Sequence, residues 1–193
     1  MLRYQIEWST PAGQLLAIEP TRAEIARHAG ALAAAYNDPH NAPLLGHTEP
    51  STERDVIGHY EALARRGGHG FVVLRDGALV GDGDLRGVAR GAAEFAFLVA
   101  AVAEQGKGLG TRIATMIHAF AFAELGLDRV YASIVPANTA SRRVFEKLGY
   151  AVDDSELGRG FAEDPGDVVM VIDRALFERS HARAMAEIAI SVR

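Results

Sequence analysis

The segment Gln105-Gly106-Lys107-Gly108-Leu109-Gly110 constrains this chain most, because it joins an apolar run, Phe95 to Val102, to an amphipathic run, Leu109 to Leu125. A strand that enters a glycine-rich turn and leaves it as a helix aims several unpaired N–H groups at one point, where the helix dipole adds partial positive charge. Such a turn suits a phosphate group. Side chains there would hold an anion away from the backbone, and glycine reaches positive φ without steric cost. Lys107 adds a point charge. The alternative is structural: the glycines simply let the helix pack close on the sheet. Two familiar phosphate loops do not fit. A P-loop needs Gly-Lys followed by Ser or Thr, which this chain lacks, and a G-x-G-x-x-G fingerprint needs its third glycine one position later. A dinucleotide-binding domain is disfavoured on that spacing.

Composition narrows the classes. A chain of 193 residues, 49% hydrophobic and 23% charged, is ordinary for one globular domain, expected to span 1–193. A net charge of −5 argues against general binding to nucleic acid or anionic membranes. No cysteine is present, so disulfides and thiolate chemistry are excluded. The N-terminal residues carry charges where a signal peptide has its apolar stretch, and no run reaches transmembrane length, which leads to a cytoplasmic expectation. The seven histidines, His28, His40, His47, His59, His69, His118 and His181, show no metal-binding spacing, so no metal is expected.

The pattern of elements reads as α/β, or α+β, with a mixed sheet. Leu15 to Ile18 reads as a first strand, and Thr21-Arg22-Ala23-Glu24 as a capping box opening a helix that ends near Tyr36. His40 to Pro50 reads as a loop, and Ser51 or Thr52 caps a second helix running to about Arg66. Asp76-Gly77 between Phe71–Leu74 and Ala78–Gly81 predicts a hairpin. A loop rich in glycine and arginine then leads to a strand from Glu94 to Val102. Beyond the glycine turn, Leu109, Ile113, Met116, Ile117 and Phe120 form the buried stripe of a helix. Val130 to Val135 and Val168 to Ile172 read as strands, Asn138 to Leu148 as a helix with Gly149 at its C-terminus, and 175–190 as a terminal helix.

Two motifs then occur in order: Gln105-Gly106-Lys107-Gly108-Leu109-Gly110, which matches [R/Q]-x-x-G-x-[G/A], and Asn138-Thr139-Ala140-Ser141 leading to Glu146-Lys147-Leu148-Gly149-Tyr150. Together they resemble the signatures of the GNAT family of N-acetyltransferases, with the RimJ/RimL type as the most similar, over about residues 15–173. The resemblance implies a GNAT-like fold: a central mixed sheet flanked by helices, with a V-shaped split between two parallel strands, here Glu94–Val102 and Val130–Val135. It implies acetyl-CoA as co-substrate in that split. Backbone groups near Ala100 and Val102 would pair with the pantetheine arm, and the amides of Gln105, Gly106, Lys107, Gly108, Leu109, Gly110 and Thr111 would hold the pyrophosphate. Asn138 and Ser141 would approach the thioester. Asn138 is equally explained as a helix cap, Ser141 as an exposed residue, and Gly149-Tyr150 as helix termination and packing.

The activity implied is transfer of an acetyl group to a primary amine of a small molecule or a protein N-terminus. The alternative is a non-catalytic CoA-binding module. An attacking amine must be neutral, so a base is required. Glu94 is the candidate, on the strand carrying the cofactor contacts, or else an exposed strand-end charge. Asp82 and Asp84 are runners-up, or turn residues. Many relatives place a tyrosine seven positions after the helix-opening asparagine as general acid; here that position is Phe145, which has no proton to give and is expected only to line the cofactor site. Protonation of the thiolate then falls to Ser141, Tyr131 or water, with Ser141 preferred. His69 lines the acceptor pocket or sits in an exposed loop, and Arg86 and Arg90 meet an acidic substrate group or solvent. The segment from Thr21 to Gly68 and the loop after Asp84 would wall the acceptor side. A homodimer accords with the resemblance.

Overall fold

The computed structural model describes residues 2–46 and 49–193; Met1, His47 and Thr48 lie outside the described residues. In chain order the elements are β1 (Tyr4–Thr10), β2 (Gly13–Ile18), α1 (Arg22–Tyr36), α2 (Glu53–Arg65), β3 (His69–Arg75), β4 (Ala78–Ala89), β5 (Ala92–Val99), α3 (Leu109–Ala123), β6 (Arg129–Ile134), α4 (Thr139–Leu148), β7 (Ala151–Val152), α5 (Glu156–Arg159), β8 (Val168–Asp173), α6 (Arg174–Ser180), α7 (Ala182–Glu187) and β9 (Ala189–Val192), with short 3-10 turns at Ala42–Leu45 and Val102–Glu104. Among the described residues the strands form one nine-stranded sheet, ordered β7-β8-β6-β5-β4-β3-β2-β1-β9. The β5–β6 pair is parallel and its neighbours are antiparallel, so the mixed α/β sheet expected from the pattern is observed.

Alternation along the strands builds two cores. Leu15, Ala17, Phe71 and Val73 face α3, whose residues Ile113, Met116, Ile117 and Phe120 are all 0% exposed. The intervening Ile18 and Val72 pack with Ile25, Leu32 and Val56 of α1 and α2 on the opposite face. Both of those helices open on the expected threonine: Thr21 and Thr52 each accept from the N3 amide while Glu24 or Asp55 reaches back. The hairpin turn is also as read, with Asp76 and Gly77 both at positive φ.

Four expectations are corrected. β1 precedes the strand taken as first, pairing with β2 from Gln5↔Ile18 to Thr10↔Gly13. The presumed loop after Asp84 is strand: β4 continues to Ala89 and turns at Arg90-Gly91. Gly81 and Gly83 are strand positions where a Cβ would lie 2.0 Å from the Leu98 carbonyl oxygen or 2.7 Å from Ile117, so close packing, not looping, explains them. The strand after it ends at Val99; Val102 belongs to a 3-10 turn and is exposed. The terminal helix expected over 175–190 breaks at His181 into α6 and α7, and after the C-cap Ile188 the chain enters β9, Ala189–Val192, which pairs with β1.

Candidate active site

The parallel β5–β6 register runs only from Ala92↔Arg129 to Glu94↔Tyr131. Beyond those residues the strands part, which leaves backbone edges without a partner strand and opens the V-shaped split. The glycine turn stands at the end of one arm. Gly106 and Gly108 have φ of 73° and 78°, the left-handed region in which a side chain is strained. Gly110 has a different reason: a Cβ there would sit 2.9 Å from Phe97, so this glycine serves close packing of helix on strand. Both readings of the glycines are thus realised, at different positions.

Among the described hydrogen bonds none uses the N–H of Gly106, Lys107, Gly108, Leu109, Gly110 or Thr111. These amides surround the N-terminus of α3, with the dipole of a 15-residue helix behind them. The Gln105 amide is committed instead, to the Val102 carbonyl, and its side chain donates to Asn41 Oδ1 at 2.9 Å and the Val99 carbonyl at 3.1 Å. Gln105 is therefore a brace. The Ala100 N–H is likewise committed, to Val80, and the Leu109 side chain is 3% exposed in the core. Neither Ala100 nor Val102 lines either of the two cavities of the split.

Two cavities meet in the split. One, of about 260 Å³, runs along the glycine turn and is walled by Gln105, Gly106, Gly108, Thr111, Arg143 and Lys147. It has no carboxylate in its wall. The other, of about 450 Å³, lies over β4 and β5 and includes Asp55, Asp82, Asp84, Glu163 and Asp167. Leu44, Leu45, Phe97, Leu98, Asn138 and Ser141 line both, so the N-terminus of α4 stands at their junction.

Asn138 Oδ1 caps α4 by accepting from the Ser141 N–H at 2.9 Å, while its amide donates to the Leu44 carbonyl at 2.8 Å. It ties the 3-10 turn at Ala42–Leu45 to the helix. Ser141 Oγ makes no hydrogen bond among those described, at the point where the cavities join.

On the face opposite α3, the register Asp82↔Leu98, Asp84↔Ala96 and Arg86↔Glu94 places acids and Arg86 side by side. Asp82 is 5% exposed, with the Tyr36 and Tyr60 hydroxyls both donating to Oδ2. Burial outweighs those donors and raises its pKa to about 6. Asp84 lies 2.8 Å from His59 Nε2 and 3.2 Å from Arg86, which also bridges to Glu163. Glu94 stands at the vertex of the split, two residues along the same face from Ala96. It does not itself line the cavity. Burial raises its pKa to about 7; Arg86 opposes the shift, and Glu163, Asp84 and Asp167 add to it.

Comparison with known proteins now decides the family. Residues 16–151 match the Acetyltransferase (GNAT) domain. The chain belongs to the GNAT acetyltransferase family. It is 36% identical over 83 residues to the "Probable N-acetyltransferase YjcK" of Bacillus subtilis (strain 168), a match covering 42% of this chain and 46% of the relative, so the chain spans about half the length of that curated relative. In fold it is similar to Mycobacterium smegmatis RimJ in complex with CoA-disulfide, with a TM-score of 0.73, 21% identity and 95% of each chain covered. It is also similar to aminoglycoside acetyltransferase AAC(6')-Ib in complex with coenzyme A and kanamycin, with a TM-score of 0.71, 21% identity, and 86% and 99% of the two chains covered.

GNAT enzymes take acetyl-CoA as acyl donor, and the uncommitted amides from Gly106 to Thr111 fit its pyrophosphate. No group of three or more His, Asp or Glu is placed to hold a metal among the described residues. No helix among them is long and apolar enough to cross a membrane.

Phe145, the departure from the family pattern, has a structural account. The Gly149 and Tyr150 amides donate to the Glu146 and Phe145 carbonyls with Gly149 at φ 101°, a Schellman ending of α4. Its usual apolar contact is the Phe145–Tyr150 pair, with ring centroids 4.9 Å apart. Phe145 is 2% exposed in a cluster with Phe95 and Phe97. Tyr131 is 0% exposed and stacked under Phe161, which removes it as a proton source. His69 pairs with Glu19 at 2.6 Å and lies outside both cavities. Sequence reasoning missed Tyr36, Tyr60, Glu163 and Asp167. They come from α1, α2 and the segment before β8, and no local pattern links them.

Proposed function

We propose that the protein is an acetyl-CoA-dependent N-acetyltransferase that moves an acetyl group to a primary amine by direct attack on the thioester. The observation that carries this reading is that Asn138 and Ser141 line both cavities, which puts the two side by side at the N-terminus of α4. A cofactor whose pyrophosphate sits at the glycine turn can pass its acyl end along the split to the junction, where an acceptor in the acidic cavity meets it.

In the transfer, the neutral amine nitrogen bonds to the thioester carbonyl carbon and the C–S bond breaks. The nitrogen's proton passes through water to a carboxylate, and the departing thiolate takes a proton from water or the Ser141 hydroxyl. Glu94 is the proton acceptor of this reading. Its raised pKa suits a base working near neutrality, and it stands opposite Arg86, which lines the cavity, so a water relay is the route this reading requires. With Phe145 in the core, the position seven residues after Asn138 offers no phenolic acid; a thiol of ordinary pKa leaves without one.

The test is release of free CoA from acetyl-CoA with a panel of small amines and peptides, followed by mass spectrometry of the product. Acetylated amine in step with CoA supports transfer. Tight acetyl-CoA binding with no acetylated product from any amine would instead indicate the non-catalytic CoA-binding module. The acceptor class, the single-domain organisation, a cytoplasmic location and a homodimer belong to this proposal.

A further inference from the structure

The acidic cavity carries a charge imbalance that acetyl transfer to an ordinary amine does not require. Five carboxylates, Asp55, Asp82, Asp84, Glu163 and Asp167, line it against Arg86 and His59, both of which pair with Asp84, while Asp55 is exposed and engaged in the α2 capping box, so acid remains in excess. Carboxylates gathered in a partly desolvated space repel one another, and a matching number of positive charges is the direct relief.

Their placement is specific. Ser133 Oγ donates to Asp167 at 2.7 Å and accepts from the Glu163 N–H at 2.9 Å, so one strand hydroxyl fixes both acids of the segment before β8. Arg86 ties Glu163 across to Asp84 on the cavity floor. Asp82 supplies a second kind of observation. Both tyrosine hydroxyls converge on its Oδ2, and Oδ1 accepts no hydrogen bond among those described, although the residue is 5% exposed and lines the cavity. A carboxylate oxygen so placed is an acceptor set for a donor from outside.

We propose that the acceptor is a di- or polyamine: a small molecule with at least two amino groups, one delivered neutral to the junction at Ser141 and another held as ammonium against Asp82 and Asp84. This rests on the transferase reading above. A protein N-terminus brings one ammonium followed by neutral backbone and leaves most of these carboxylates unbalanced. An amino acid or acidic amine adds a further negative charge. A volume of about 450 Å³ is within the range of small-molecule sites.

The experiment uses the full chain with saturating acetyl-CoA and compares cadaverine with pentylamine, which differ by one amino group, and with a short peptide bearing a free alanine N-terminus. CoA release gives kcat/KM for each, and calorimetry gives binding of each amine without turnover. The diamine is expected to exceed the monoamine by about tenfold or more, the worth of one charged hydrogen-bonded contact. That ratio should shrink when salt is raised to about 0.5 M, because screening weakens the second contact. Asp84→Asn and Asp167→Asn should each lower the ratio, and two variants keep the test open if one misfolds. Equal kcat/KM for the two amines, or a preference for the peptide, would overturn the proposal while leaving the transferase intact. Diamine binding with no CoA release from any amine would instead remove the transferase reading and keep the recognition claim.

Discussion

The two cavities that meet at α4 are built by opposite means. The one along the glycine turn takes its wall from the β5–α3 junction, α4 and the 3-10 turn at Ala42–Leu45, and the groups it offers an anion are the uncommitted backbone amides between Gly106 and Thr111 with Arg143 and Lys147 beside them. The acidic one is assembled from α1, α2, β4, β5, β6 and the segment before β8, and its character comes from side chains. A backbone site can hold one constant ligand across many sequences, because it needs only glycine and a helix end. A side-chain site can change charge without altering the fold. Cofactor recognition is therefore written into local geometry, and acceptor recognition into the residues that happen to converge.

Variants can break one side of this contrast at a time. Gly108→Asp has the largest expected effect: a side chain forced to φ 78° and a carboxylate at the pyrophosphate site should weaken acetyl-CoA binding by more than about a hundredfold. Among the described residues a Cβ there would meet only Arg112, at 3.5 Å, so conformational strain and repulsion, not collision, drive the loss. Calorimetry with acetyl-CoA reads it directly.

Glu94→Gln should lower kcat by about a hundredfold, typical for loss of a general base, with acetyl-CoA affinity unchanged. With Glu94 as the base, kcat of the parent protein should rise as pH rises through about 7, where Glu94 loses its proton beside Arg86, Asp84, Glu163 and Asp167. That limb should vanish in the variant. A raised pKa also means that the folded state holds this proton more tightly than the unfolded chain, so Glu94 opposes folding increasingly as pH climbs through 7. The variant's Tm relative to the parent should accordingly rise more at pH 8 than at pH 5. An unchanged kcat–pH profile removes Glu94 from the chemistry.

Lys147→Glu should raise the acetyl-CoA Kd by about tenfold at low salt and by less at high salt, since its charge acts on phosphate across partly exposed space. Asn138→Ala touches both sides. It removes the α4 cap and the tie to Leu44, and should cost about 1 kcal/mol of stability by thermal or denaturant unfolding while raising KM for donor and acceptor together. Smallest is Ser141→Ala, expected to lower kcat a few-fold, about the worth of one hydrogen bond.

The same contrast explains what the sequence disclosed. The capping boxes at Thr21 and Thr52, the Asp76-Gly77 hairpin and the Asn138 cap were legible because each is complete within a few residues. The glycine turn was legible for the same reason. The bracing of Gln105 was not legible, because its partners, Asn41 and Val99, are fixed only by tertiary structure. The second half of β4 was hidden by Gly81, Gly83 and Gly87, the first two of which are glycines because Leu98 and Ile117 crowd them. β9 pairs with β1 across nearly the whole chain and has four residues of its own, too few to outweigh the helical pattern before it. Asp82 and Asp84 were visible as runners-up for the base; their neighbours Tyr36, Tyr60 and Glu163 were not, because the cavity exists only after the sheet has formed.

An amide NMR titration with acetyl-CoA addresses the central claim most directly. The glycine amides of residues 106, 108 and 110 are resolved from most others in such spectra, and the account predicts that they shift together with Lys107, Leu109 and Thr111 and saturate at one equivalent. If acetyl-CoA binds and these amides stay in place while resonances elsewhere move, the glycine turn is not the pyrophosphate site and the two-cavity account fails.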